Sequence, residues 1–239
     1  MSGHSHFATI KRQKESNDAK KGKVFSKMAK EIAIAVKAGG ADPDSNYKLR
    51  IVIDKARSYN MPKSNIDRAI SSGVGGKALE EITYEGFGPG GIGVIVKAAT
   101  DNKNRTAQGM KNIFERVGGS LAGPGAVSFN FENKGFILVE KILNPEEQIL
   151  KLIDLGIEDV EETLDGIEVY VSPDKLSEIK NKIEELGFRV KESELYMKPI
   201  TYQSLEGNDV IKAIDFLDSL DDQDDVQSVY SNLDVPSEQ

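Results

Sequence analysis

The chain has 239 residues, no cysteine and no tryptophan, and a formal net charge of −8 at neutral pH. Without cysteine, disulfide scaffolds, thiolate metal sites and cysteine nucleophiles are excluded. No stretch approaches the roughly 20 apolar residues that a membrane span requires, and the first residues, MSGHSHFATIKRQK, have no apolar run before a cleavage site, so the expectation is a cytoplasmic protein.

The net charge hides an asymmetry: residues 1–80 carry 16 Lys and Arg against 8 Asp and Glu, and the remainder carries 15 against 31. Such a partition marks a basic module that meets phosphate and an acidic part that stays solvated. Residues 1–23 hold Lys11, Arg12, Lys14, Lys20, Lys21 and Lys23 with almost no aliphatic residue and read as a basic arm. Over 24–77 the spacing predicts three short helices packed as a bundle. The first carries Phe25, Met28, Ile32 and Val36 and stops at Gly39-Gly40, with Lys23, Lys27 and Lys30 off its apolar face. The second carries Leu49, Val52, Ile53 and Ala56 and ends before Pro62. The third has Ser64 and Asp67 at capping-box spacing and closes at Gly73.

GVGGKALEE reads as a hinge that leaves the bundle free to pivot. Beyond it, EITYEGF and GIGVIVKAA read as strands around a glycine-proline turn. NRTAQGMKNIFERVG reads as a helix with Ala107, Met110, Ile113, Phe114 and Val117 inward, and GAVSFNFE as a strand. From GFILVEK to FRVKESELYM the order strand, helix, strand, strand, helix, strand is that of a ferredoxin-like unit. The tail adds a helix, NDVIKAIDFLDSL, and a strand, DVQSVYSNL, which the preceding β-β-α-β unit lacks. The expected class is therefore α+β: a bundle, then a discontinuous domain over 78–132 and 201–239 with a ferredoxin-like domain, 133–200, inserted in it.

Few constellations point to catalysis. Gly86-Phe87-Gly88-Pro89-Gly90-Gly91 matches G-x-G-x-x-G but opens a strand rather than a helix, so it reads as a hairpin loop, and no Gly-Lys-Ser/Thr follows for a phosphate loop. Both histidines, His4 and His6, lie in the arm with no nucleophile placed beside them. A free Ser-Gly-His terminus would bind Cu(II) or Ni(II) in a square plane, yet nothing else supports a metal role. Glu161-Glu162, Glu184-Glu185 and Asp221-Asp222-Asp224-Asp225 lie in polar runs and read as solvated surface. No enzyme, cofactor, metal, membrane or small-molecule substrate is expected.

The basic arm and first helix are the sharper signal, with eight Lys and Arg in residues 1–30 against Glu15 and Asp18. Phosphate is their natural ligand; Ser, Thr and Asn donors are interleaved, and Phe7 can stack on a base. The candidate contacts are Lys11, Arg12, Lys14, Lys20, Lys21, Lys23 and Lys27. A second candidate is Asp101-Asn102-Lys103-Asn104-Arg105-Thr106, where Asn104 or Asp101 caps a helix and Lys103 and Arg105 flank amides able to receive phosphate. The third helix offers Lys63, Asn65 and Arg68 to a base edge.

The runs MSGHSHFATIKRQKESNDAKKGKVFSK, NMPKSNIDRAI, YEGFGPGG, DNKNRTA and AVSFNFE, in this order across nearly the whole chain, resemble the YebC/PmpR family. The resemblance implies three-domain α+β proteins described as DNA-binding transcriptional regulators. Some members are described as translation factors that relieve ribosomes stalled on proline-rich sequences, and a mitochondrial relative is a translational activator. It points to His4 and the arm lysines, and to Tyr84, Glu85, Gly86 and Pro89 in the glycine-rich loop. The family's Lys-Trp is replaced here by His6-Phe7, which removes a fixed charge and a larger stacking surface. The expected partner is nucleic acid, DNA by the resemblance. Ribosomal RNA on the ribosome is the alternative, favoured physically because a lysine-rich arm meets RNA through shape, phosphate and stacking.

Overall fold

The computed structural model describes residues 18–75 and 79–234, with side chains from residue 22 onward. It begins with three helices: α1 (Asp18–Gly39), α2 (Tyr47–Ser58) and α3 (Lys63–Gly75). Helix α1 starts ahead of Val24, so Lys20, Lys21 and Lys23 belong to a helix rather than an arm. Asn46 caps α2 by accepting from the Leu49 amide, and its own amide group donates to Ala35 and Gly40, which ties the end of α1 to the start of α2. Helix α3 begins at Lys63, before Ser64, with the Pro62 carbonyl accepting from the Ile66 amide. It runs through Gly73 rather than stopping there. A Cβ on Gly73 would lie 2.7 Å from Val36 and 2.8 Å from the Ala33 carbonyl, so this glycine serves close packing of α3 on α1. Met28, Ile32, Leu49, Ile53, Met61 and Ile66 fill the bundle core.

The rest of the chain forms two four-stranded antiparallel sheets. The first uses β1 (Glu80–Phe87), β2 (Gly93–Thr100), β3 (Ser120–Ala122) and β9 (Val226–Ser231) in the order β3-β1-β2-β9. Helices α4 (Lys103–Arg116) and α7 (Asn208–Asp221) cover one face, with Phe114 and Phe216 edge to face at 5.0 Å. The second sheet is made by β4 (Phe131–Val139), β5 (Asp159–Glu162), β6 (Ile167–Val171) and β7 (Val190–Pro199) in the order β5-β6-β4-β7, the ferredoxin-like arrangement. Helices α5 (Pro145–Ile153) and α6 (Leu176–Glu185) lie on one of its faces. Between β7 and α7, β8 (Gln203–Ser204) pairs in parallel with β10 (Leu233–Asp234). The chain thus leaves the first sheet after β3, builds the second, and returns with α7 and β9: an α+β protein with a ferredoxin-like unit inserted.

The segment GAVSFNFE is not a strand over its length. Residues before Phe131 form turns and a 3-10 turn at Ser128–Asn130, and the third strand of the first sheet is the short β3. The two sheets meet on the faces their helices leave open, through Ile95 and Tyr230 from the first and Phe136, Leu138, Tyr170 and Tyr196 from the second. Neighbouring rings in this cluster lie 5.5 to 6.3 Å apart. All five residues of β6 are buried, because both sheet faces are covered.

The bundle is docked, which corrects the expectation of a free pivot; the predicted hinge falls partly on residues 76–78, outside the described residues. Ile51, on the side of α2 away from the bundle core, is buried with Ile137, Val139 and the second sheet's helices. Beside it, Lys55 lies 2.7 Å from Glu194 on β7 and 3.9 Å from Glu31 on α1. Burial lowers the pKa of Lys55, but Glu194 and Glu31 raise it well above the usual lysine value. Burial raises that of Glu31, with Lys55 pulling the other way. Replacing Lys55 by Met leaves two carboxylates without their nearest cation at the seam of three domains. We expect urea unfolding to show a loss of about 3 kcal/mol; a change below about 0.5 kcal/mol would mean that the triad holds nothing together.

Candidate nucleic-acid interface

Lys23, Lys27 and Lys30 recur at i, i+4 and i+7 on α1, which places them in one row on a helix. The row faces the end of α7. Lys23 donates to the Asp222 carbonyl and lies 3.2 Å from the Asp222 carboxylate. Lys27 donates to the Asp221 carbonyl and lies 3.4 Å from the Asp221 carboxylate. Lys30 donates to the Asp224 carbonyl at 2.8 Å and to the Asp225 carboxylate at 3.0 Å. Each ammonium therefore engages both backbone and side chain at and just beyond the C-terminal end of α7, where the helix dipole is negative. Lys23 and Lys27, nominated as phosphate contacts, are held by the protein's own acidic segment. Asp221, Asp222, Asp224 and Asp225 are correspondingly not a solvated run facing away from the cations. The signal was present in the sequence as complementary spacing: a lysine row on one helix and four aspartates directly after another.

Asp225 also organises the second candidate site. Its carboxylate accepts from Arg105 at 2.8 Å and Thr106 at 2.8 Å, in addition to Lys30. Burial alone would raise its pKa, but these donors hold it down at about 2. Arg105 pairs with Asp101 as well, and Lys103 with Glu80. The residue that caps α4 is Asn102, which accepts from the Arg105 amide, rather than Asn104 or Asp101. At this helix end Arg105 thus already meets two carboxylates of the chain, Asp101 and Asp225.

The glycine-rich loop is structural. Glu85, 7 % exposed, accepts from the amides of Gly125 and Val127 at 2.8 Å each and of Ser128 at 2.9 Å. Burial would raise its pKa, and these three amides together with Ser128's side chain lower it instead. Glu85 thereby fixes the turn that carries Val127 into the contact between the sheets. A Cβ on Gly86 would meet the Ser120 carbonyl at 2.5 Å and the Phe114 ring at 2.6 Å, so only glycine fits beneath α4. Pro89 opens a 3-10 turn, and the Tyr84 hydroxyl is buried.

Beside this row the bundle stays open. Between α1 and α3 runs a groove of about 410 Å³, lined by Phe25, Ala29 and Met61 with Ser26, Lys30, Asn65, Arg68 and Ser72, and by no acidic residue among the described residues. Asn65 and Arg68 of the third helix therefore meet at one concavity, and α1 leads from it directly into residues 1–17. His4, Lys11, Arg12 and Lys14 lie outside the described residues, as does the proposed amino-terminal Cu(II) site. Lys20 and Lys21 lie on the helical backbone of α1. Among the described residues no group of three or more His, Asp or Glu is placed to hold a metal ion, and no helix is long and apolar enough to cross a membrane.

The structure is a helical bundle docked on two α+β units. Residues 5–76 match the model of the TACO1/YebC protein N-terminal domain, and residues 79–233 that of the TACO1/YebC second and third domain. The chain belongs to the TACO1/YebC family. It is 45% identical over 243 residues to a "Probable transcriptional regulatory protein" of Dictyoglomus thermophilum, covering 100% of this chain and 98% of that one. It is 47% identical over 239 residues to another of Bacillus licheniformis, covering 98% and 100%. The crystal structure of a conserved hypothetical protein from Aquifex aeolicus superposes with a TM-score of 0.89 at 40% identity, covering 98% of each chain.

Asp225 sets a pH dependence. Its pKa is depressed from 3.8 to about 2, so the stability it contributes is complete above 3.8 and is lost as pH falls toward 2. Asp225→Asn should therefore be less stable than the parent by roughly 2 kcal/mol at neutral pH. The two urea midpoints should converge on acidification through that window, and a constant gap would show that the ion pairs contribute nothing.

Proposed function

We propose that this protein is a nucleic-acid-binding regulator of gene expression that acts in the cytoplasm without catalysing a reaction. The observation that carries the reading is the groove between α1 and α3, which has Arg68, Asn65 and Lys30 in its wall and, among the described residues, no acidic residue in its lining. In the sequence it is preceded by His4, Lys11, Arg12, Lys14, Lys20 and Lys21, which we assign to the same phosphate-binding role. Lysine contacts of this kind fix a protein on a phosphate backbone without naming the sequence. The relatives' names favour DNA and transcription.

One feature favours RNA, and with it a role on the ribosome. Asn65 and Arg68 line a concavity with an apolar floor rather than crowning a convex helix, and a recognition helix must protrude to enter a major groove. A concave site flanked by lysines suits an unstacked base of a single strand.

Binding can be followed by anisotropy of labelled single-stranded RNA and of duplex DNA across 50 to about 200 mM salt. Lys20→Ala with Lys21→Ala should weaken binding about tenfold at low salt and reduce the slope of log affinity against log salt by roughly two counterions. Arg68→Ala should weaken binding to the single strand more than to the duplex. Unchanged affinity in both variants would remove the reading.

A further inference from the structure

Lys23, Lys27 and Lys30 of α1 meet partners within the chain, although Lys30 also borders the groove between α1 and α3. Each ammonium of the row Lys23, Lys27 and Lys30 is met by one carbonyl and one carboxylate of a short acidic segment, Asp221 to Asp225. A run of carboxylates presented along a lysine row offers the same donors-to-anion pattern as successive phosphates on a backbone. We propose that this row is a second polyanion-binding surface, held shut by the acidic segment as an internal competitor, and that a nucleic-acid chain displaces the segment strand by phosphate.

The contacts are graded in a way that suits displacement. At the end nearest the arm, Asp222 is 76% exposed and Lys23 36%, so this pair is solvated, screened by salt and contributes little on its own. Deeper in, Lys27 with Asp221 and Lys30 with Asp225 are 10 to 23% exposed. A polyanion that meets Lys23 first exchanges the weak pair and then reaches the stronger ones. Only Asp225 is also tied to Arg105 and Thr106 of α4, so it stays with the body when the row opens. The inference rests on the proposed function: it adds that the lysine row of α1 parts from the acidic segment when nucleic acid binds.

The test uses the full chain with single-stranded RNA as probe. Asp221→Asn with Asp222→Asn removes two competing charges and spares Asp225. If the closed form outnumbers the open one by about ten to one, removing the competitor tightens binding about tenfold, because the competent fraction then approaches unity. Equal or weaker binding by this variant, with the parent binding normally, would overturn the internal competitor and leave the nucleic-acid function standing. Failure of both proteins to bind would overturn both. A second variant guards against misfolding: the chain has no cysteine, so Lys23→Cys with Asp222→Cys can be bridged by a short bismaleimide. The bridged form should bind several-fold more weakly than the same variant left unbridged, and equal affinity would show that the row never opens.

Discussion

The arrangement of this molecule depends on the contact between the lysine row of α1 and the acidic end of α7. Four aspartates in five residues, placed at the negative end of a helix dipole, would repel one another without cations among them. Lys23, Lys27 and Lys30 provide those cations, and Arg105 adds a fourth from α4. The same contact brings α1 against the first sheet's unit, while Ile51 and Lys55 hold α2 against the second. The bundle is consequently a third wall of the body. Ion pairs of this kind seldom add much net stability, because desolvation offsets the attraction. Their effect is to fix which faces meet, and a charge-fixed seam can be reopened by a competing anion, which an apolar seam cannot.

Two layers of the molecule were legible in the sequence to different depths. The α+β class, the helical bundle and the ferredoxin-like order followed from periodicity, because buried faces impose a repeat of 3.6 or 2 on apolar residues whatever packs against them. The family resemblance, carried by long runs such as YEGFGPGG and NMPKSNIDRAI, agrees with the match to both TACO1/YebC domain models. Periodicity failed where side chains serve distant backbone. GAVSFNFE alternates like a strand, yet Glu85, some 40 positions earlier, gathers three of its amides and holds it as a turn. Local pattern has no access to such a partner.

The site was less legible, for a related reason. Charge counting located the basic end of the chain, but charge has no periodicity that reveals its partner. Lys23, Lys27, Lys103 and Arg105 were nominated for phosphate on the sound ground that cations attract anions. The anions they meet are Asp222, Asp221, Glu80, Asp101 and Asp225. The glycine-rich loop shows the converse: Glu85 and Gly86 stand out in sequence because packing and backbone satisfaction constrain them, and a structural demand can look like a functional one.

Function in this account follows from what the seam leaves exposed and what it can release. The groove beside α3 stays open to a polyanion, and the α1 row is occupied until a stronger polyanion arrives. The most direct test is the distance between spin labels at Ser71→Cys on α3 and Lys212→Cys on α7, measured by double electron–electron resonance in the cysteine-free chain with and without single-stranded RNA. The account predicts one narrow distance in the protein alone and a longer, broader distribution when RNA is bound. A broad distribution before RNA is added, or a narrow one left unmoved by saturating RNA, would contradict it.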